Sequence, residues 1–121
     1  MTINWITIKV NDFDKSKEFY RDFLGMKEDK EFSPNDSMSI AFFMADNGVK
    51  VELIYDENSK LESPSNSSIS IGICPLNYNE ILQKSREKNM ISSGPVVLGG
   101  NMECFFLNDP NGVGVQIIKG K

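Results

Sequence analysis

The chain has 121 residues, 40% of them hydrophobic and 25% charged, and a formal net charge of −4. That is enough material for one globular domain and an ordinary balance that excludes a disordered chain. The acidic balance and the absence of any lysine or arginine run exclude a nucleic-acid footprint, and they mildly favour a cationic ligand over an anionic one.

No apolar stretch approaches the ~20 residues that cross a bilayer. The amino terminus through Asp12 reads as a strand with charges close behind, not as a signal peptide, so a cytoplasmic protein without a membrane partner is expected. The chain contains no histidine. Histidine is the commonest metal ligand and the usual general base near neutral pH.

Residues 3–10 alternate, with Ile6, Ile8 and Val10 on one face and Trp5, Thr7 and Lys9 on the other. Asp12 stands at the N-cap of a predicted helix whose apolar positions are Phe13, Phe19, Tyr20, Phe23 and Leu24. Gly25 supplies its stop. The charges Asp14, Lys15, Lys17, Glu18, Arg21 and Asp22 form a solvated side. A weaker strand follows over 26–33. A buried strand then carries Phe42 and Phe43 into an Asn47-Gly48 turn, which tolerates positive φ. The next strand sets Val49, Val51 and Leu53 against Lys50, Glu52 and Ile54. Residues of about 57–68, rich in Ser, Asn, Pro and Glu, read as a surface linker.

The second half repeats this order. Ile69, Ile71 and Ile73 alternate with Ser70, Gly72 and Cys74. Asn77 is the expected N-cap of a helix to about Asn89, with Tyr78, Ile81, Leu82 and Ser85 on its apolar stripe. A strand over 90–98 is interrupted by Gly94-Pro95, and Gly99-Gly100 reads as a hairpin turn. The last hairpin carries Phe105-Phe106, an Asn111-Gly112 turn, and Val113, Val115 and Ile117 against Gly114, Gln116 and Ile118. Residues 42–54 and 105–118 share one pattern with a single insertion, Pro110.

The predicted architecture is α+β: a single domain over 1–121 built from two tandem βαβββ modules, about 1–56 and 69–121. Neither is expected to be stable alone, and together they would make one curved mixed sheet with a concave pocket and helices outside. Phe19, Phe23, Phe42, Phe43, Phe105 and Phe106 are expected to pack helices onto sheets. Met38, Met44, Met90 and Met102 suit adaptable packing or a soft rim. Cys74 and Cys104, with no CxxC spacing, read as reduced thiols.

Three stretches carry a family resemblance: Ile6-Thr7-Ile8-Lys9-Val10-Asn11-Asp12, Ser16 with Phe19-Tyr20-Arg21-Asp22-Phe23-Leu24-Gly25, and Phe105 to Gly112. They resemble the vicinal oxygen chelate superfamily of glyoxalase I, bleomycin-resistance proteins and ring-cleaving dioxygenases. The resemblance implies four metal-ligand positions on the concave face. They fall on Trp5, Glu52, Ser70 (Ile69 in a register one residue off) and Gln116, where metal-using members usually carry histidine, an acid or amide, histidine and glutamate. Glu52 is a good ligand and Gln116 a weak one. Indole cannot coordinate through its donor-only N–H, and a serine hydroxyl is a poor neutral ligand. Cys74 adds a thiolate only in an unusual Glu52–Cys74–Gln116 set.

The expected function is therefore a metal-free, cofactor-free, non-enzymatic protein that binds or sequesters an aromatic or cationic small molecule. Its ligand-binding candidates are Trp5, Thr7, Lys9, Lys50, Glu52, Ser70 and Gln116. Trp5 alternatively plugs the space of a lost metal site. Glu52 alternatively pairs with Lys9 or Lys50, or serves as a catalytic base. The competing functions are a divergent metal-dependent lyase, isomerase or dioxygenase, and a ligand-free interaction protein. A homodimer is expected in each case.

Overall fold

Alternation at the amino terminus produces strand β1, Trp5–Val10, in a computed structural model that describes residues 1–59 and 68–120. Asp12, in extended backbone, caps helix α1, Phe13–Lys17, by accepting the Lys15 N–H at 3.0 Å. This satisfies one of the orphan donors of the first turn. The regular helix stops there, short of the predicted span. Glu18–Phe23 winds as a π-helical segment, and the Leu24 N–H reaches back to the Phe19 carbonyl at 2.9 Å. Phe19, Tyr20, Phe23 and Leu24 are all buried. The Phe19 ring meets those of Tyr20 and Phe23 at centroid distances of 4.9 and 5.5 Å. Gly25 then ends the segment at φ +79.

Strands β2 (Lys27–Phe32), β3 (Met38–Met44) and β4 (Lys50–Asp56) complete the first sheet, in the order β1-β4-β3-β2. β1 and β4 run parallel, and the other pairs run antiparallel. The second half has β5 (Ser70–Ile73), helix α2 (Tyr78–Glu87), β6 (Ile91–Leu98), β7 (Met102–Asn108) and β8 (Gly114–Ile118). Its sheet has the order β5-β8-β7-β6, again with only the first pair parallel. The fold is α+β, two tandem βαβββ modules, as the periodicity implied. The chain divides into two compact units, Met1–Ser63 and Pro64–Lys121. Most of the expected linker, residues 60–67, lies outside the described residues.

One face of each sheet carries most of the core, and Ile40, Phe42 and Cys104 are buried on the other. In the first unit Ile8, Val10, Ala41, Phe43, Val51 and Leu53 are buried, and in the second Ile71, Phe105, Leu107, Val115 and Ile117 are. Tyr78, Ile81, Leu82 and Ser85 of α2 are buried as the 3.6-residue period requires. Each large side chain so buried contributes roughly 1.5–3 kcal/mol of transfer free energy.

The two hairpin turns correct the alignment of the repeat. Ala45 N–H donates to Val49 O at 2.9 Å and Gly48 N–H to Ala45 O at 3.0 Å. In the second copy Asp109 N–H donates to Val113 O at 2.9 Å and Gly112 N–H to Asp109 O at 3.1 Å. Asp109 is thus the counterpart of Ala45, Pro110 is the counterpart of Asp46, and nothing is inserted. The preceding strands are slipped by one residue against the expected alignment. A one-residue slip turns every side chain to the other face. Phe42 pairs with Glu52 and Phe106 with Gln116, both on the face away from the core residues Phe43 and Phe105. Two of the six phenylalanines expected to hold helices therefore do not.

One local expectation changes: Asn77 precedes α2 but makes no side-chain cap, and its amide donates instead to Glu80 Oε2 at 3.0 Å. Another is met: β6 spans Gly94-Pro95, and its pairing with β7 is interrupted there by register shifts on either side of Ser93.

Tyr78 supplies a pH test of the second unit. Its ring lies edge-on to Phe105 at 5.5 Å, and its hydroxyl is buried with no partner at hydrogen-bonding geometry among the described residues. Burial pushes this hydroxyl up to about 12, and the nearby Glu103 carboxylate acts in the same direction. The folded state therefore holds the proton after the unfolded chain, with a value near 10.0, has released it. The contribution is complete below about pH 10 and is lost as pH rises toward 12. Over that interval the wild type should lose about 2 kcal/mol more stability than Tyr78→Phe in urea unfolding. Parallel losses in the two proteins would show a solvated hydroxyl.

Candidate functional site

The strand register sets three rows of side chains across the face of the first sheet that points away from the core. They are Trp5-Lys50-Met44-Lys27, Thr7-Glu52-Phe42-Lys30 and Lys9-Ile54-Ile40-Phe32. The alternation of β1 and β4 dictates the first two members of each row. The third and fourth come from β3 and β2.

Trp5 begins β1 with 49% of its surface exposed. Its ring meets Phe42 edge-on at 5.4 Å and 83°, the geometry that the ring quadrupoles favour. The Thr7 hydroxyl donates to Glu52 Oε1 at 2.6 Å, a short charge-assisted bond. Lys50 forms its ion pair with Asp29, at 2.9 Å, and not with Glu52 as one sequence reading had it. Asp29 is the extra residue of a bulge between Glu28 and Lys30. The Lys30 ammonium stands 5.2 Å from the centre of the Phe42 ring and 5.6 Å from that of Phe32. Lys50 approaches Phe42 from 6.0 Å. A cleft of about 400 Å³ opens beside the bulge, lined by Glu28, Asp29, Lys30, Glu31, Ala41, Phe42 and Phe43.

The second sheet repeats the register with different side chains. Ser70 pairs with Gly114 and Gly72 with Gln116, so Ser70 is the counterpart of Trp5, Gly72 of Thr7 and Gln116 of Glu52. The Gln116 amide donates to the sulfur of the buried Cys104 at 3.3 Å. Cys74 is exposed and follows the end of β5.

Of the residues singled out from sequence, Trp5, Thr7, Lys9, Lys50 and Glu52 share one face in the first unit. Ser70 and Gln116 lie in the second unit, on neighbouring rows. Asp29, Lys30, Phe32 and Phe42 were not recognised. The stretch Lys27–Phe32 has no apolar alternation to orient it, and the bulge breaks the period within it. Phe42 was read as packing a helix onto the sheet, but it lies on the opposite face with Glu52 and Trp5. Among the described residues, no three His, Cys, Asp or Glu side chains cluster as metal donors.

Comparison with known proteins places these features in context. Residues 2–117 match the model of the Glyoxalase/Bleomycin resistance protein/Dioxygenase superfamily. A lactoylglutathione lyase of Haemophilus influenzae is 27% identical, over 100% of this chain and 94% of the relative. The trypanothione-dependent glyoxalase I of Leishmania major superposes with a TM-score of 0.76 at 22% identity, over 98% of this chain and 86% of that one. The fosfomycin resistance protein FosX of Listeria monocytogenes, complexed with Mn(II) in its E126Q form, gives 0.73 at 14% identity, over 99% and 93%.

Proposed function

The chain belongs to the Glyoxalase/Bleomycin resistance protein/Dioxygenase superfamily, and we propose that it is a metal-free member that binds an aromatic small molecule against Trp5. The observation that carries this reading is the half-exposed indole beside a small set of polar groups, Thr7-Glu52 and Lys50-Asp29. A flat apolar surface with a few convergent polar groups is the usual make-up of a small-molecule site. Half-exposed, Trp5 leaves surface for a ligand to cover.

The donor set does not suit the divalent ion that the family's metal-using members carry. Trp5 offers a hydrogen and no lone pair. Glu52 gives one of its oxygens to the Thr7 hydroxyl. In the second unit Gln116 and Ser70 are neutral and weak ligands. On this reading the protein needs no cofactor, works by binding and sequestering its ligand, and forms a homodimer. No helix among the described residues is long and apolar enough to cross a membrane.

The match to a lactoylglutathione lyase supports a second reading, a metal-dependent lyase. Elemental analysis after loading with Ni, Zn, Mn or Fe separates the two. Stoichiometric metal that is lost in Glu52→Ala would favour the metal-dependent reading and end the metal-free one. Trp5 is the chain's one tryptophan, so quenching of its emission by a panel of aromatic metabolites and drugs reports on this face directly. Trp5→Ala should weaken any such ligand about tenfold, measured by calorimetry. Equal affinity in the variant would place the ligand elsewhere.

A further inference from the structure

We propose that the ligand of the Trp5 face is an aromatic anion, an arene bearing a carboxylate, and that Lys30 selects its charge. This rests on the small-molecule reading above and adds the ligand's charge class. It also reverses the preference for a cation that the chain's net charge of −4 suggested.

The three rows carry four lysines, Lys9, Lys27, Lys30 and Lys50, against one carboxylate, Glu52. Asp29 reaches in from the bulge as a second. Both carboxylates are engaged: Asp29 by Lys50 at 2.9 Å, and Glu52 by the Thr7 hydroxyl at 2.6 Å. The other two acids of β2 pair with cations of the helical segment, Glu28 with Arg21 at 3.2 Å and Glu31 with Lys17 at 3.1 Å. Lys30 is thus the charge of β2's centre that no carboxylate neutralises among the described residues. An acidic protein here concentrates positive charge on one face, and local potential, not net charge, decides which ligand accumulates there.

The position of Lys30 makes the charge usable. Its ammonium is held over the rings of Phe42 and Phe32, an attraction that keeps it on the face. The same Phe42 ring meets Trp5. An exposed indole and an unneutralised ammonium therefore flank a single ring. Both contacts are with the one Phe42 ring, so an arene that covers the indole and extends along Phe42 carries an attached carboxylate toward the ammonium, where a charge-assisted hydrogen bond completes the contact. A cationic arene at the same place meets four ammonium groups against two carboxylates, and Lys50 already neutralises one of those, Asp29.

A matched trio tests this: 2-naphthoate, neutral 2-naphthamide and 2-naphthylmethylammonium, titrated by calorimetry into the intact chain at low salt. Naphthoate should bind roughly tenfold tighter than naphthamide, with the ammonium weakest. Added salt should shrink that ratio. Lys30→Met should bring the naphthoate-to-naphthamide ratio close to one, and Lys30→Arg should restore most of it. Equal binding of the three, a preference for the ammonium, or a ratio unchanged in Lys30→Met overturns the charge assignment while leaving the aromatic site standing. Binding by none of the three overturns the aromatic site itself, and the charge assignment with it.

Discussion

Phe105→Ala is expected to destabilise the protein by about 3–5 kcal/mol, and Phe106→Ala by less than half of that. The two residues are adjacent and chemically identical, so the difference isolates the face each occupies. Phe105 is 0% exposed, pairs with Ile117 and meets the Tyr78 ring. Removing it opens a cavity between β7 and α2, walled by side chains that are themselves buried and cannot collapse into it cheaply. Phe106 pairs with Gln116 on the opposite face and is only half-buried. Denaturant unfolding of the two variants reads the result. Equal losses would mean that the Phe106 face is packed as tightly as the core that Phe105 fills; the one-residue correction to the repeat rests on the turn hydrogen bonds and stands either way.

That correction shows how far sequence reading reaches. The order of elements, the caps at Asp12 and Gly25, and the alternation of β1, β4, β5 and β8 were legible because each rests on local periodicity or on a residue with special backbone freedom. For the same reason the grouping of Trp5 with Thr7, Lys9, Lys50 and Glu52 was legible, since both strands alternate strictly. Three things were not. The Phe-Phe doublets invited a residue-by-residue alignment, and only the turn hydrogen bonds show that Asp109 replaces Ala45. The bulge at Asp29 is invisible in Lys27–Phe32, where five of six residues are charged and no apolar period sets a face. The pairing of Lys50 with Glu52 was suggested by their shared face two residues apart on β4, whereas the actual partner, Asp29, arrives from β2 through that bulge. The missing contributors to the site, Lys30 and Phe42, are the residues whose facing depends on these two irregularities. Under the proposed preference for an anion, the net charge is a poor guide for a related reason: it sums over a surface on which Glu28 and Glu31 pair with helix cations while Lys30 does not.

A second irregularity, the register shift of β6 against β7, predicts a steep glycine cost. Gly94→Ala should destabilise by about 3–4 kcal/mol, whereas Gly25→Ala should lose only about 1–2. Both glycines have positive φ, +92 and +79, so both substitutions bear the left-handed backbone cost of an L side chain. They differ in what a Cβ would meet. At Gly25 nothing lies within 4 Å. At Gly94 the new carbon would stand 3.0 Å from the Cys104 carbonyl oxygen, 3.0 Å from the Phe105 Cα and 3.1 Å from the Phe105 Cβ. Two of those atoms are backbone of β7, and Cys104 and Phe105 are both 0% exposed, so the strand has nowhere to retreat. The register shift between Ser93 and Val96 presses β6 against β7 at this point, which is why a residue without a side chain stands there. Unfolding midpoints of the two variants, compared in one denaturant, measure the difference directly. Similar losses would show that β6 relaxes away from β7 at no cost and that the close approach is not fixed. A larger loss at Gly94 would show that the second sheet depends on backbone contact between β6 and β7, a contact that no side-chain pattern could have disclosed.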